Sequence, residues 1–266
     1  MHQEDVRAVQ AVGRSLTRIG QAIVLISKHL RAGGRLFFVG AGTSGRLGIL
    51  EAAECPPTFS TPPSLVQAVI AGGRGAVFRS REGAEDDRAS ARAAVRRRVR
   101  RDDVVVGITA SGVTPFVDAA LREAARSGAR TILLTCQPRP SMTAELVIPV
   151  SVGPEVLTGS TRLKAGTATK LVLNMLTLGV MVRLGKTHGH LMVDVRPTSD
   201  KLRARAVGII RTLTNCSESA ARSALRAARG QVKVAVLMLR RPCTKATARR
   251  VLSRAQGSLR RALGNP

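Results

Sequence analysis

Three short stretches of this 266-residue chain set glycine and hydroxyl side chains just ahead of a helical pattern, and two glutamates stand near them. The first is Gly40-Ala41-Gly42-Thr43-Ser44-Gly45, fed by the apolar run Leu36–Val39. That order predicts a strand, a tight turn and a helix start. Turn amides, the Thr43 and Ser44 hydroxyls and the positive helix end would converge on one point, which suits a phosphate. The letters match the dinucleotide fingerprint, but no acidic residue follows a second strand at the ribose-binding distance, so a small sugar phosphate fits better than a nucleotide. The second stretch carries Ser111, Gly112 and Thr114 after the run Val104–Ile108, with Pro115 placed for the first turn of a helix. The third, Thr158 to Thr167, holds Ser160 and Lys164. One such turn is explained by helix capping alone. Three of them point to a cradle for phosphate and sugar hydroxyls.

Glu54 and Glu85 are the acid/base candidates. Glu54 is expected to follow the first helix, clamped by Cys55-Pro56-Pro57 in an apolar setting that raises a carboxyl pKa. Glu85, in Arg81-Glu82-Gly83-Ala84-Glu85-Asp86-Asp87, is either its partner or an ordinary helix-start carboxylate favoured by the macrodipole. Lys164 either faces a phosphate or is solvated near a helix start. His188 and His190 flank Gly189 without a third metal ligand nearby, so a loop role is expected for them and neither metal nor cofactor is. Cys55, Cys136, Cys216 and Cys243 show no metal-ligand spacing and no paired framework, which reads as reduced thiols in the cytoplasm.

Positioning these groups requires alternating elements. Apolar residues at helical spacing over 6–31 end at Gly33-Gly34. Strands are predicted at Leu36–Val39, Val66–Ala71, Val104–Ile108, Thr131–Thr135 and Leu146–Val150, and helices at 44–53, 83–100, 115–127 and from about Leu163 to Leu184. The pattern is that of an α/β fold, a doubly wound, mainly parallel sheet with helices on both faces, whose ligands sit at the carboxyl ends of the strands. Residues 1–200 form this domain. Residues 201–266 read as a small helical subdomain with helices at 203–212, 217–228, 231–240 and 244–254, Ser217 and Thr244 serving as N-caps. No run approaches the ~18 apolar residues of a membrane span, and Met1–Asp5 lacks the order of a signal peptide, so no membrane partner is expected.

The balance of 43 basic against 17 acidic residues gives a net charge of +26. Such a field attracts polyanions without sequence preference. The chain has no Trp, no Tyr and only five Phe to stack on bases, which argues against specific nucleic-acid recognition. The dense run Arg96–Arg101 ends a helical stretch, where basic residues complement the helix carboxyl end.

Taken together, Gly40–Gly48, Glu54-Cys55-Pro56-Pro57-Thr58-Phe59, Ala71-Gly72-Gly73, Glu82–Asp86, Gly153-Pro154-Glu155, Thr158–Thr167, Lys170–Met175 and Gly189–Asp194 resemble the N-acetylmuramic acid 6-phosphate etherases over nearly the whole chain. The resemblance implies the sugar isomerase (SIS) fold, a small C-terminal helical domain, a homodimer with sites near the subunit interface, and no cofactor. It implies cleavage of the D-lactyl ether of N-acetylmuramate 6-phosphate, giving N-acetylglucosamine 6-phosphate and D-lactate in cell-wall recycling. Glu54 matches the proton donor to the departing lactate, later the base for water, and Glu85 the base at C2. Thr43, Ser44, Ser111 and Ser160 match phosphate and sugar ligands, with Gly42, Gly45 and Gly112 permitting close approach. The chain departs from the family in starting almost at the motif resembling Gln3-Glu4-Asp5, in Val113 where Arg is frequent, in His190 where Asn is common, and in its charge; only seven of its 43 basic residues are lysines. A sugar-phosphate-binding regulator like glucokinase regulatory protein is the alternative, and a sugar-phosphate isomerase of the same fold a third.

Overall fold

In the computed structural model, which describes residues 1–264, the chain opens with two helices, α1 (His2–Arg14) and α2 (Leu16–Arg31), where periodicity predicted one. Ser15 divides them, its hydroxyl donating to the Pro149 carbonyl at the end of the fifth strand. That bond ties the helix pair to the edge strand of the sheet.

The five strands β1 (Leu36–Gly40), β2 (Val66–Ile70), β3 (Val104–Thr109), β4 (Arg130–Thr135) and β5 (Leu146–Pro149) each end within one residue of the predicted runs. Their order is β2-β1-β3-β4-β5 and every pairing is parallel. The winding therefore reverses between β1 and β3, the place where such sheets leave a crevice at their carboxyl ends.

Between the strands lie α3 (Gly42–Phe59), α4 (Gly75–Phe78), a 3₁₀ turn (Ala84–Asp86), α5 (Arg88–Arg98) and α6 (Pro115–Arg126), with α7 (Lys164–Arg183) after β5. One sheet face, with Phe37, Val39, Val69, Val105 and Leu133, packs against Ala91 and Val95 of α5 and Phe116 to Ala124 of α6. The alternate residues, Leu36, Phe38, Val106, Ile108, Ile132 and Leu134, are buried on the opposite face. There α3 lies so close that a Cβ on Gly48 would come within 2.8 Å of Phe38 Cβ. The expected helix over 83–100 is shorter, because Asp87 accepts the Ser90 amide and starts α5 there.

Two expectations change here. The helix predicted over 44–53 runs through Pro56 and Pro57, which take helical φ readily but forgo the amide bonds to Ala52 and Ala53 and crowd those carbonyls. And α7 does reach the length and apolarity of a membrane span, with a mean hydropathy of 1.4; a little over half of that window, 56%, is buried, as in a core helix.

By compactness the chain divides into Met1–Glu54 with Pro62–Val180, and Cys55–Thr61 with Met181–Pro266. This boundary is earlier than the expected one after residue 200, because Val193 and Val195 are buried in the core of the helical unit. That unit holds α8 (Asp200–Thr214), α9 (Glu218–Ala227), α10 (Val232–Arg240), α11 (Lys245–Arg254) and the unpredicted α12 (Leu259–Leu263). Ser217 and Thr244 cap α9 and α11 as expected, accepting the Ala220 and Thr247 amides.

Candidate functional site

The first hydroxyl loop sits at the end of β1, beside the reversal in strand order. A Cβ on Gly45 would stand 2.5 Å from Ile70 Cγ1 and 2.7 Å from the Gly40 carbonyl oxygen. Only glycine lets α3 begin this close to the strand. Gly42 starts the helix with φ +50°, and the Gly45 amide donates to the Ala41 carbonyl at 3.2 Å. The earlier amides of the first turn, with Thr43 and Ser44 half-buried beside them, carry the positive end of the helix dipole.

At the end of β3 the second loop is held by hydroxyls. Thr109 Oγ1 lies 2.8 Å from Thr114 Oγ1 and 3.3 Å from Ser111 Oγ, and accepts the Gly112 amide at 3.2 Å. Thr114 therefore serves the loop and not the start of α6, whose first turn it precedes without a side-chain cap. Gly112 is buried at φ +72°, against Gln137 and Thr135. Ser111 is exposed.

The third loop reaches the first. A Cβ on Gly166, in the opening turn of α7, would meet Thr43 Cγ2 at 3.8 Å. Here the structure corrects the sequence reading of Lys164. Its ammonium is neither solvated nor open to the loop: the side chain is 3% exposed and pairs with Glu4 of α1. The Lys164 and Ala165 amides are taken as well, donating to the Glu155 carboxylate at 3.2 and 3.0 Å. Anion binding at the start of α7 is thus satisfied internally, while half-buried Ser160 precedes it. Burial, aided by Glu155, pushes the nearby Cys136 thiol up to about 12, so it stays protonated at neutral pH.

Glu85 lies in the 3₁₀ turn after β2 and lines a cleft of about 150 Å³ with Gly42, Arg46, Arg81 and Glu82. This cleft joins the first loop to one of the two carboxylates and adds two guanidinium groups that the sequence reading missed. Arg46 is anchored there by donating from Nε to the Val77 carbonyl at 2.9 Å. Arg81 packs across Gly72 and Gly75, whose lack of side chains makes room for it.

Glu54 is not where the sequence placed it. Since α3 continues, Glu54 stands inside the helix on its exposed side, with no apolar pocket around it among the described residues. The buried carboxylate of α3 is Glu51, 7% exposed, which accepts from Thr177 Oγ1 and from Lys170 Nζ at 3.4 Å on α7. Its signal was an acidic residue three positions before Glu54 on the helix face that carries Gly48 and Cys55. His188 and His190 lie in the helical unit around Gly189; burial, with Arg260 nearby, holds the His188 pKa below its ordinary value. The most voluminous cavity described, about 670 Å³, is also in that unit, lined by Asp194, Arg196, Arg229 and Lys233 among others, and contains none of the predicted residues.

Two family models match the chain: the glucokinase regulatory protein N-terminal SIS domain over residues 18–125 and the SIS domain over residues 85–179. The N-acetylmuramic acid 6-phosphate etherase of Nostoc sp. (strain PCC 7120) is 51% identical, the match covering 99% of this chain and 87% of the relative. Proteins of that name from Symbiobacterium thermophilum and Cutibacterium acnes are 54% and 49% identical, over 90% and 98% of this chain and 80% and 86% of theirs. Among solved structures, a phosphoheptose isomerase from Francisella tularensis superposes with a TM-score of 0.51 at 19% identity, over 66% of this chain and 93% of that one. A protein of E. coli CFT073, solved as a ligand complex, gives the same TM-score and identity over 70% and 91%. These two likenesses speak for the fold alone.

Proposed function

The chain belongs to the N-acetylmuramic acid 6-phosphate etherase family, and from that membership we propose that it cleaves the lactyl ether of N-acetylmuramate 6-phosphate. The observation that carries the reading is the cleft where Gly42, at the phosphate-suited start of α3, meets Glu85. Thr43, Ser44, Ser111, Thr114 and Ser160, with Gly45 and Gly112, are proposed to hold the phosphate and the sugar hydroxyls. Lys164 supports them indirectly by fixing α7 to α1.

The chemistry needs two carboxylates. In the open-chain sugar the C1 aldehyde acidifies the proton at C2, and Glu85 removes it. The C3–O bond then breaks with its electron pair on the lactyl oxygen, which Glu54 protonates, releasing D-lactate. Water adds to the unsaturated aldehyde: Glu54 takes one proton, the oxygen bonds to C3, and C2 recovers its proton from Glu85.

Glu54 lies twelve residues along α3 from Gly42, about 18 Å at 1.5 Å per residue. That is too far for both ends of one helix to serve one sugar ring, so we propose a homodimer in which Glu54 reaches the cleft of the second copy. Exposed Leu50, one turn before Glu54 on α3, and exposed Leu178 on α7, at 42% and 52%, supply apolar surface for such a contact. A cytoplasmic setting is proposed on the same footing, as no disulfide joins the cysteines among the described residues.

Lactate release from N-acetylmuramate 6-phosphate tests the proposal. The natural chain should turn over, and Glu54→Ala and Glu85→Ala should each lose at least about 100-fold in kcat. Tight sugar-phosphate binding with no lactate released would favour a regulator instead.

A further inference from the structure

The mechanism above leaves unused a group of side chains next to Glu54. Glu51 binds Thr177 with one carboxylate oxygen and Lys170 with the other. Lys170 Nζ also donates to Asn174 Oδ1. An ammonium has three N–H donors. Two of those on Lys170 go to protein acceptors, and the side chain is 37% exposed, so the third faces outward.

Helix geometry sets Glu54 one turn from the residue that binds this ammonium. Three residues after Glu51, Glu54 leaves α3 one turn on and about 60° round. Side chains on a helix lean toward its amino end, so Glu54 leans back toward the turn of Glu51, whose carboxylate holds Lys170 of α7. A group that protonates the lactyl ether oxygen must stand next to the lactyl carboxylate, because only one carbon separates them. Without a cation there, the substrate carboxylate and the newly formed Glu54 carboxylate would repel.

We propose that Lys170 recognises the lactyl carboxylate and so selects sugars carrying a 3-O-lactyl acid; this rests on the etherase reading with Glu54 as proton donor. Glu51 and Asn174 hold the ammonium in place for it. A pair of enzymes sharing the phosphate loops would then differ in substrate by this one cation.

The test compares N-acetylmuramate 6-phosphate with its lactamide analogue, in which the carboxylate is a carboxamide. The natural chain should favour the acid in kcat/KM by about tenfold or more, the scale of one charge-assisted hydrogen bond. Lys170→Met alone would strand the buried Glu51 charge, so the variants are Glu51→Gln and the double variant Glu51→Gln with Lys170→Met. The single variant should keep the preference and the double variant should lose it, the ratio falling toward one. D-lactate should likewise weaken as an inhibitor of the double variant while N-acetylglucosamine 6-phosphate does not. A ratio unchanged in the double variant, or no preference in the natural chain, overturns the assignment. Absence of any turnover by the natural chain defeats the etherase reading and this assignment with it.

Discussion

Gly45→Ala isolates the close approach of α3 to β1. The new methyl would lie 2.5 Å from Ile70 Cγ1 and 2.7 Å from the Gly40 carbonyl oxygen, against ordinary contacts that begin near 3.4 Å. Ile70 can turn its side chain. The carbonyl cannot yield as easily, because it accepts the Ala71 amide at 3.1 Å at the end of the sheet. The start of the helix must therefore retreat by more than half an ångström. Overpacking of this kind costs about 1–3 kcal/mol, or roughly 4–8 °C in Tm for a 2 kcal/mol loss in a domain of this size. The functional loss should be larger, since a misplacement near 1 Å in a binding loop costs on the order of 100-fold in rate. Gly166→Ala, one contact away, makes the control. Its methyl would meet Thr161 O and Thr43 Cγ2 at an ordinary 3.8 Å inside a helix, so stability should rise by about 0.5–1 kcal/mol. Thermal melts and kcat/KM for lactate release measure both. Gly45→Ala with unaltered Tm and activity would refute the claim that glycine there sets the loop.

Two further outcomes are expected. The Lys164 ammonium holds the Glu4 pKa below the ordinary carboxylate value. A depressed folded-state pKa gives stability that is full above the unfolded value and is lost as pH falls through the folded one, so acid-limb melts should show that loss in the natural chain and not in Glu4→Gln. In the helical unit, Lys233 Nζ donates to the Gly185 and Gly257 carbonyls and to Asp194, at 2.8, 2.8 and 2.7 Å. Lys233→Met would orphan the two carbonyls and leave Asp194 to Lys186 alone, at 3.3 Å, and should cost about 3 kcal/mol, read by denaturant unfolding; a loss under about 1 kcal/mol would show that water replaces the ammonium there.

Much of the fold was legible because a parallel sheet writes itself as short apolar runs. Leu36–Gly40 and Val104–Thr109 are buried at every position, so no alternation blurs them. Ends of helices were harder to read. Pro56-Pro57 is a stop signal by local rule, yet the packing of Cys55 and Phe59, both buried, carries α3 through it. The same error misplaced Glu54, since an end of helix would have tucked it inward. The partners of Lys164 were illegible for another reason. Glu4 lies 160 residues away, and Glu155 caps α7 from nine residues back, beyond any N-cap motif. Local sequence shows that a helix end needs an anion; only the fold shows that it already has one.

That distinction bears on the two carboxylates left for chemistry. In a chain of 43 basic and 17 acidic residues, every acid has cations to spare for a partner. Asp103 is tied to Arg35, Glu123 to Arg96 and Arg126, Asp118 to Arg122, Asp194 to Lys186 and Lys233, and Glu218 to Arg222. Glu54 and Glu85 have no ion pair and no side-chain hydrogen bond among the described residues, although both are exposed to the same positive field. An arginine clamped on either would hold it ionised and screen it from substrate. A general acid must carry its proton to the reacting oxygen, and a general base must meet the C–H bond directly. Asp5, Glu82, Asp86 and Asp102 are likewise without an ion pair among the described residues, so an unclamped carboxylate is a requirement of the proposed work and not by itself its mark; Arg46 and Arg81 line the cleft of Glu85 without pairing with it. Placing an arginine beside Glu54, at Leu50 one turn away, should accordingly suppress lactate release more than Leu50→Gln does.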